Sequence, residues 1–136
     1  MKLTQDLQRT LQAAVDRIVP PDEYPGALES GVLDYLLRQF EKDLRPFVED
    51  YCLGLTSLES ESLVRFDRSF SSLADHEKDE ILSQIEAGEV ATNWSVAPQK
   101  FFRLLNHTTV EGFYSDPEQG GNRDRLSWTM IGFESN

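Results

Sequence analysis

Apolar residues recur at spacings of three and four through most of the chain, and this repeat constrains the fold more than any other feature. Such a period places the apolar side chains on one face of an α-helix. In the first segment, Thr4 or Asp6 is available as a cap and Pro20 as a stop. Alternation is suggested only over 127–133, so the sequence predicts an all-α fold, a compact bundle of several helices. The apolar positions of the first helix are Leu7, Leu11, Val15 and Ile18.

Three more helices are predicted between the proline-rich segment and residue 66. One spans 27–40 with Gly31 inside it, where a glycine usually marks a close helix crossing and costs about 1 kcal/mol relative to alanine. Pro46 suits the first position of the next helix, because a missing N–H is tolerated there. Residues 58–66 are predicted as a separate helix that several serines weaken.

The remaining helices have clear local signals at their ends. Asp75 is a good cap for a helix over 76–87, and Gly88 suits the left-handed residue that ends it. The segment between this helix and Pro98 reads as irregular, with Trp94 packing inward. Pro98 starts a long last helix whose broad apolar face suits the centre of a bundle.

Size and charge limit the classes of protein to which the chain can belong. Its 136 residues fit one domain over 1–136 with a single core. It carries 24 acidic and 13 basic residues, for a formal net charge of −11. This charge repels phosphate backbones and anionic membranes, so nucleic acid is not expected as a partner. No run approaches the roughly 18 apolar residues of a membrane span, so no insertion into a membrane is expected.

The lone cysteine and the first residues bear on the cellular compartment. Cys52 excludes an internal disulfide and lies in an apolar stretch, where it reads as a small buried hydrophobe. The first residues lead into a helix without a secretory or twin-arginine pattern, so a cytoplasmic location is expected. A trimmed leader or an exported partner would instead place the chain in the periplasm.

Residues 107–133 differ from the rest of the chain because packing alone does not explain their composition. The last helix runs into Gly112, and Asp116-Pro117 follows as a turn signal. Gly120-Gly121-Asn122 then permits backbone with positive φ, but it lacks the strand, helix and lysine of a phosphate loop. The sequence therefore predicts a long ordered C-terminal loop that either folds on itself or meets a partner.

Two stretches, residues 10–40 and 101–133, together resemble the gluconate 2-dehydrogenase subunit 3 family. Two sets of marks in the right order are more specific than either set alone. The marks in the first stretch are Asp16-Arg17-Ile18-Val19-Pro20 and Tyr24-Pro25-Gly26-Ala27. The marks in the second stretch are His107-Thr108, Glu111-Gly112, Asp116-Pro117, Gly120-Gly121-Asn122, Trp128 and Ile131-Gly132.

The resemblance implies a noncatalytic helical subunit that binds and stabilises a large FAD-dependent oxidoreductase of the glucose-methanol-choline type. Such complexes oxidise sugars, sugar acids or polyols, and some of them pass electrons to a cytochrome subunit. The FAD and the oxidation chemistry then belong to the large subunit. No catalytic, cofactor-binding or metal-binding residue is expected in this chain.

His107 and Glu111 lie four residues apart and so share one face of the last helix. Such a pair can hydrogen-bond, ligate a metal, or act as a base and its orienting group. A helical metal site needs a third donor, and His76 on a predicted exposed helix is not an obvious one. The simpler interpretation is a histidine held by a buried carboxylate or carbonyl. The functional alternative is that His107 reaches toward the partner's substrate cavity.

Arginine and aromatic residues are the usual anchors of protein interfaces, and the C-terminal segment carries several of them in an otherwise acidic chain. We therefore predict a partner interface in the 107–133 region, with a second contact from 24–27. The predicted interface residues are Tyr24, Pro25, His107, Glu111, Tyr114, Asp116, Pro117, Gly120, Gly121, Asn122, Arg123, Arg125 and Trp128.

The residues alone leave two other hypotheses open. The chain is a small enzyme or metal-binding protein that uses His107, Glu111 and Asp116, or it is a folding factor that releases the flavoprotein once flavin is bound. No Ser-His-Asp or Cys-His set can be assembled. Asp16-Arg17 reads as an ion pair at a helix end or between helices, and the acidic run over 41–50 as a solvated face.

Overall fold

The computed structural model describes residues 3–19 and 31–113 in full, and residues 114 and 115 as backbone only. Within these ranges the chain forms five α-helices and no β-strand, which confirms the predicted all-α class. The helices are α1 (Gln5–Ile18), α2 (Val32–Gln39), α3 (Val48–Phe66), α4 (Asp75–Ala87) and α5 (Pro98–Ser115). Short 3-10 turns at Arg45–Phe47 and Phe70–Ser72 precede α3 and α4. None of the helices in the described ranges is long and apolar enough to cross a membrane.

The start of α1 follows directly from its sequence. Thr4 has extended backbone, and its Oγ1 accepts a hydrogen bond from the Leu7 N–H at 3.2 Å, so Thr4 rather than Asp6 is the cap. Asp6 lies in the first turn, where its charge interacts favourably with the helix dipole. Leu11 and Val15 are fully buried, as the apolar repeat predicts.

Gly31 does not lie inside a helix, and the prediction of an uninterrupted helix from residue 27 is wrong at this position. Gly31 caps the start of α2 with a φ of 81°, in the left-handed region that cannot continue a right-handed helix. No described atom lies within 4 Å of the position that a Cβ would take, so Gly31 marks no crossing between the described helices. Residues 27–30 lie outside the described ranges.

α3 is one continuous helix of 19 residues, which corrects the prediction of a separate helix over 58–66. Pro46 lies in the 3-10 turn that leads into α3, where its missing N–H is tolerated. The serines do not break the helix; Ser62 Oγ donates to the Arg68 carbonyl oxygen at 2.6 Å, which secures the end of α3. Asp67 ends the helix with a φ of 58°.

The cap of α4 lies one residue earlier than predicted, because Ala74 is the N-cap and Asp75 is the first helical residue. Alanine has no side-chain acceptor, and Glu77 compensates by accepting a hydrogen bond from the Ala74 N–H at 2.9 Å. Gly88 ends α4 with a φ of 79°, as predicted. The inward residues of α4 are Ile81, Leu82 and Ile85, all buried.

α5 lies at the centre of the bundle and contacts each of the other four helices. Phe101 packs edge-on to Tyr51, with ring centroids 6.1 Å apart. The fully buried Tyr51 hydroxyl shares a hydrogen bond with the Thr108 hydroxyl, so this polar group in the core is satisfied. A Cβ on Gly54 would lie 2.0 Å from Cδ1 of Phe101. A close crossing that requires glycine is therefore found at Gly54.

Surface charges stabilise the packing of α1 against α4. Arg17 Nε lies 2.8 Å from Asp79 Oδ1, and Arg17 Nη1 lies 3.3 Å from Asp75 Oδ2. The hydrogen bond with Asp79 raises the pKa of Arg17 and lowers the pKa of Asp79. Of the two arrangements predicted for Arg17, the structure has the ion pair between helices. The acidic run is solvated, since Glu41, Asp43 and Glu49 are exposed and Asp50 is half-buried.

Candidate functional site

His107 and Glu111 are both buried on α5 but line different grooves. The exposed fraction is 6% for His107 and 5% for Glu111. His107 lines a groove together with Lys100 and Arg103, whereas Glu111 lines a smaller groove against α2 and the turn before α3. We call these the His107 groove and the Glu111 groove. The spacing that puts both residues on α5 therefore does not bring them to the same groove among the described residues.

The His107 groove has a volume of about 520 Å³ and a largely polar lining. Lys100 and Arg103 form no ion pair with any carboxylate in the described ranges. The groove is therefore suited to an anionic group from outside the described bundle. Its other polar lining residues are Glu86, Gln99 and Asn106.

Burial, with a further contribution from the nearby charge of Arg103, lowers the pKa of His107 below its ordinary value of 6.5. The imidazole is therefore neutral at pH 7, with one N–H donor and one nitrogen acceptor. In the unfolded chain the same histidine binds a proton near pH 6.5, at a higher pH than in the folded chain. The contribution of His107 to stability is therefore present above pH 6.5 and is lost as the pH falls toward the folded pKa.

We expect His107 to titrate below 6.5 when its ring resonances are followed by NMR in the folded chain. The variant His76→Gln leaves His107 as the only histidine, so that one titration curve is read. Arg103→Gln removes the nearby positive charge but not the burial, so it is expected to raise the pKa of His107 part of the way toward 6.5. Lys100→Gln is the matched loss of a groove cation and is expected to have a smaller effect. A His107 pKa of 6.5 or above in the folded parent chain would contradict the burial of its side chain in the His107 groove.

The helices that adjoin the two predicted interface segments pack against each other. A Cβ on Gly112 of α5 would lie 2.8 Å from Cδ2 of Tyr35 and 3.2 Å from Cγ1 of Val32, both on α2. Glycine thus permits α5 to approach α2 closely. The Glu111 groove, of about 220 Å³, includes Tyr35 as well. α2 follows the predicted contact at 24–27 in sequence, and α5 leads into the predicted C-terminal loop.

Glu61 on α3 accepts a dense set of hydrogen bonds that no sequence motif indicates. Its side chain is 1% exposed and accepts from the N–H groups of Ala91 at 3.0 Å and Thr92 at 2.8 Å. The Thr92 hydroxyl also donates to it, as do Trp94 Nε1 at 3.1 Å and Arg65 Nε at 3.0 Å. These contacts tie α3 to the irregular segment before α5. They also hold Trp94, whose ring centroid is 6.0 Å from that of Phe101, in its predicted inward packing.

The environment of Glu61 fixes it as an anion. Burial by itself raises the pKa of this carboxyl, but the hydrogen bonds from Thr92, Ala91, Trp94 and Arg65 outweigh burial and lower the pKa to about 2. A carboxylate that is ionised and fully engaged does not exchange protons near neutral pH, so its role is structural. The signal in the sequence is its position three residues after the buried Leu58, where a carboxylate needs partners.

Neither a metal site nor a reactive cysteine is built from the described residues. No group of three histidine, cysteine or carboxylate side chains that can hold a metal occurs among them. Asp116, the third residue of the metal or enzyme hypothesis, lies outside the described ranges. Cys52 is half-buried rather than buried, and it packs against the core. Burial raises the pKa of the Cys52 thiol, which disfavours the reactive thiolate.

Most of the predicted interface lies beyond the part of the chain that the structure describes. Among the predicted interface residues, only His107 and Glu111 have described side chains, and Tyr114 is described as backbone in the last turn of α5. The predicted C-terminal loop also lies outside the described ranges. The remaining predicted interface residues, all outside these ranges, are Tyr24, Pro25, Asp116, Pro117, Gly120, Gly121, Asn122, Arg123, Arg125 and Trp128.

A family model agrees with the resemblance in the sequence. The model of the family described as gluconate 2-dehydrogenase subunit 3 matches residues 5–134, a range that includes all five helices and the segments that follow α1 and α5. Comparisons with curated proteins and with solved structures found no match. The matched range covers nearly the whole chain, including the marks around His107 and Asp16. The chain therefore belongs to the gluconate 2-dehydrogenase subunit 3 family.

Proposed function

We propose that this chain is a noncatalytic small subunit that binds and stabilises a large FAD-dependent oxidoreductase of the glucose-methanol-choline type. The observation that carries the proposal is the family match over residues 5–134, since the family is described as one subunit of a dehydrogenase. The large subunit would hold the FAD and oxidise a sugar, sugar acid or polyol. A cytochrome subunit would take the electrons in complexes that contain one. We place this complex in the cytoplasm.

The chemistry of the described residues supports a binding role. Among the described side chains of α5, His107 and Glu111 are the buried ionisable groups, and they line separate grooves. Glu61 is a fully engaged anion, as described above. Lys100 and Arg103 lie on the surface beside His107, where they are available to carboxylates of a partner. These features favour docking over turnover by this chain alone.

The proposed docking surface consists of the end of α5, the Glu111 groove and the residues that follow them to position 133. A second contact is proposed at residues 24–27. The close packing of Gly112 against Tyr35 and Val32 supports both contacts, because it joins the two helices from which these segments extend. A rigid junction lowers the entropy that is lost when both segments bind one partner.

Co-expression with the large flavoprotein of the same organism, followed by size-exclusion chromatography, tests the proposal. We expect the two chains to elute together at micromolar concentration, with FAD absorbance in the shared peak. Trp128→Ala and Arg125→Ala are each expected to weaken binding about tenfold or more, as is typical of interface anchors. His76→Ala, on the exposed side of α4, is the control and is expected to have no effect.

Two outcomes of the same experiment would contradict the proposal. Separate elution of wild-type chains would show that the chain is not a stable subunit. Elution together only before flavin is loaded would instead identify a folding factor. A stoichiometric metal in the purified chain that is lost in His107→Ala would favour the metal-binding hypothesis, and elemental analysis measures it directly.

A further inference from the structure

The lysines and arginines of the described residues divide into two groups. Those in ion pairs with carboxylates are Arg9, Arg17, Arg65, Arg68 and Lys78. All the others line one of two grooves. Lys100 and Arg103 belong to the His107 groove, which is part of the region already considered. Arg38, Lys42 and Arg45 line a second groove on another side of the bundle.

This second groove, the α2 groove, lies between the start of α1, the end of α2 and the beginning of α3. Its volume is about 910 Å³. Apolar side chains form its floor: Leu3, Phe40 and Val48 are buried, and Leu37 is half-buried. A ligand that covers the apolar floor excludes water from beside the charged groups, and this strengthens their attraction to an opposite charge. The α2 groove therefore combines a hydrophobic surface with three cations, which outnumber its two carboxylates.

The three cations are exposed and available to a ligand. Arg45 Nη2 donates to the Glu41 carbonyl oxygen at 2.7 Å, which holds the guanidinium in place and leaves its other N–H groups available. Asp34 and Glu41 also line the groove, but neither carboxylate lies within 4 Å of a cation in the described ranges. The positive charges of Arg38, Lys42 and Arg45 are thus not neutralised inside the described bundle.

We infer that the α2 groove binds an acidic segment of the large subunit, with an apolar side chain of that segment on the floor. This inference rests on the proposed function, because it names a further place where the same partner binds. Carboxylates match guanidinium and ammonium groups in geometry and charge. The net charge of −11 repels an extended polyanion such as nucleic acid or an anionic membrane. A short acidic segment contacts a groove in which cations outnumber carboxylates, and the long-range repulsion from the rest of the chain acts on it less.

Charge reversal in the complex tests the inference. Arg38→Glu, Lys42→Glu and Arg45→Glu are each expected to raise the dissociation constant of the complex about tenfold, since each replaces an attraction by a repulsion. The matched control is Arg9→Glu, which makes the same change in charge at an exposed position, 63% of its side chain being accessible. Arg9→Glu is expected to change the dissociation constant less than twofold, roughly the scale of one exposed ion pair. Circular dichroism melting of each variant confirms that the fold is retained.

A crosslink identifies what lies in the groove. A carbodiimide joins amines to carboxylates that are in contact, so Lys42 is expected to crosslink to an Asp or Glu of the large subunit. A crosslink from Lys42 to a carboxylate of this chain over 116–136 would overturn the inference, because the groove would then hold the chain's own C-terminal segment. The free chain is also tested against anionic phosphatidylserine vesicles and duplex DNA. If it binds either one and the three reversals abolish that binding, the inference is overturned in favour of that ligand.

The two proposals fail differently. If the wild-type chains do not associate, the proposed function is wrong. If they associate and the three reversals weaken binding no more than Arg9→Glu does, the proposed function stands and the assignment of the α2 groove is wrong.

Discussion

Glu61→Ala is expected to lower the free energy of unfolding by about 3–5 kcal/mol, a large part of the stability of a domain of this size. The substitution removes the acceptor of the Ala91 and Thr92 N–H groups, the Trp94 indole and the Arg65 guanidinium. A fully buried donor left without a partner costs about 1–3 kcal/mol, and these partly buried donors each cost a part of that. Chemical unfolding in urea at pH 7, followed by circular dichroism, measures the loss.

Two variants make the Glu61 experiment specific. Glu80→Ala removes an exposed carboxylate on α4 and is expected to change the free energy of unfolding by less than about 0.5 kcal/mol. Glu61→Gln keeps the shape of the side chain but removes the charge, so it is expected to lie between the parent and Glu61→Ala. A loss below about 1 kcal/mol in Glu61→Ala would show that the buried carboxylate does not hold the segment before α5.

The stability supplied by Glu61 is also expected to depend on pH. Its pKa is about 2 in the folded chain and 4.5 ordinarily, so the unfolded chain binds the proton more readily. The contribution is therefore fully present above pH 4.5 and is lost as the pH falls toward 2. The difference in pKa corresponds to about 3 kcal/mol. The difference in stability between the parent and Glu61→Gln, measured from pH 7 down to pH 3, is expected to shrink across this range and not to grow.

The second large effect is expected from Gly54→Ala, at about 3 kcal/mol of lost stability. A Cβ on Gly54 would lie 2.0 Å from Cδ1 and 2.3 Å from Cε1 of Phe101, whose ring is fully buried. Overpacking of a core typically costs 1–3 kcal/mol, and here the overlap is severe. The gain of about 1 kcal/mol in helix propensity from glycine to alanine offsets only part of this cost. Thermal and urea unfolding both measure the net loss.

Another helical glycine and a second-site change serve as controls for Gly54. Gly112→Ala makes the same chemical change, but its nearest described atom, Cδ2 of the half-buried Tyr35, is 2.8 Å away, so a smaller loss is expected. Phe101→Leu makes room at the crossing. The double variant Gly54→Ala with Phe101→Leu is expected to be more stable than the sum of the two single changes predicts. If the losses of stability in the two single variants simply add in the double variant, the Cβ of alanine at position 54 does not clash with Phe101.

Local sequence determined the identity and most of the ends of the helices. The apolar repeat placed Leu11 and Val15 in the core, and the same period held in α4 and α5. Thr4, Gly88 and Pro98 mark ends because their preferred hydrogen bonds and backbone angles act within a few residues. Asp75 lies one residue away from its predicted role because Glu77 caps through its own side chain. Signals of this kind depend on neighbours in the sequence, so the sequence contains them.

The candidate site was predictable in position but not in arrangement. The spacing of His107 and Glu111 correctly placed both on α5 near its end. It did not indicate that they line different grooves, since that depends on which helices flank α5. Similarly, Arg38, Lys42 and Arg45 follow a helical spacing in the sequence. The structure shows that these three residues form no ion pair within the described bundle, whereas Arg9, Arg17, Arg65, Arg68 and Lys78 each pair with a carboxylate. The sequence does not contain this difference.

By itself the sequence determined an acidic, all-helical chain of the gluconate 2-dehydrogenase subunit 3 family. Tertiary structure decided which glycine is a crossing, since Gly54 lies within α3 against the ring of Phe101, whereas Gly31 is a left-handed cap with no described atom opposite it. It also decided that Glu61 is a buried anion, because its donors come from residues 91–94, some thirty positions along the chain. Periodicity encodes which face of a helix is buried, whereas the partners of that face depend on contacts distant in sequence.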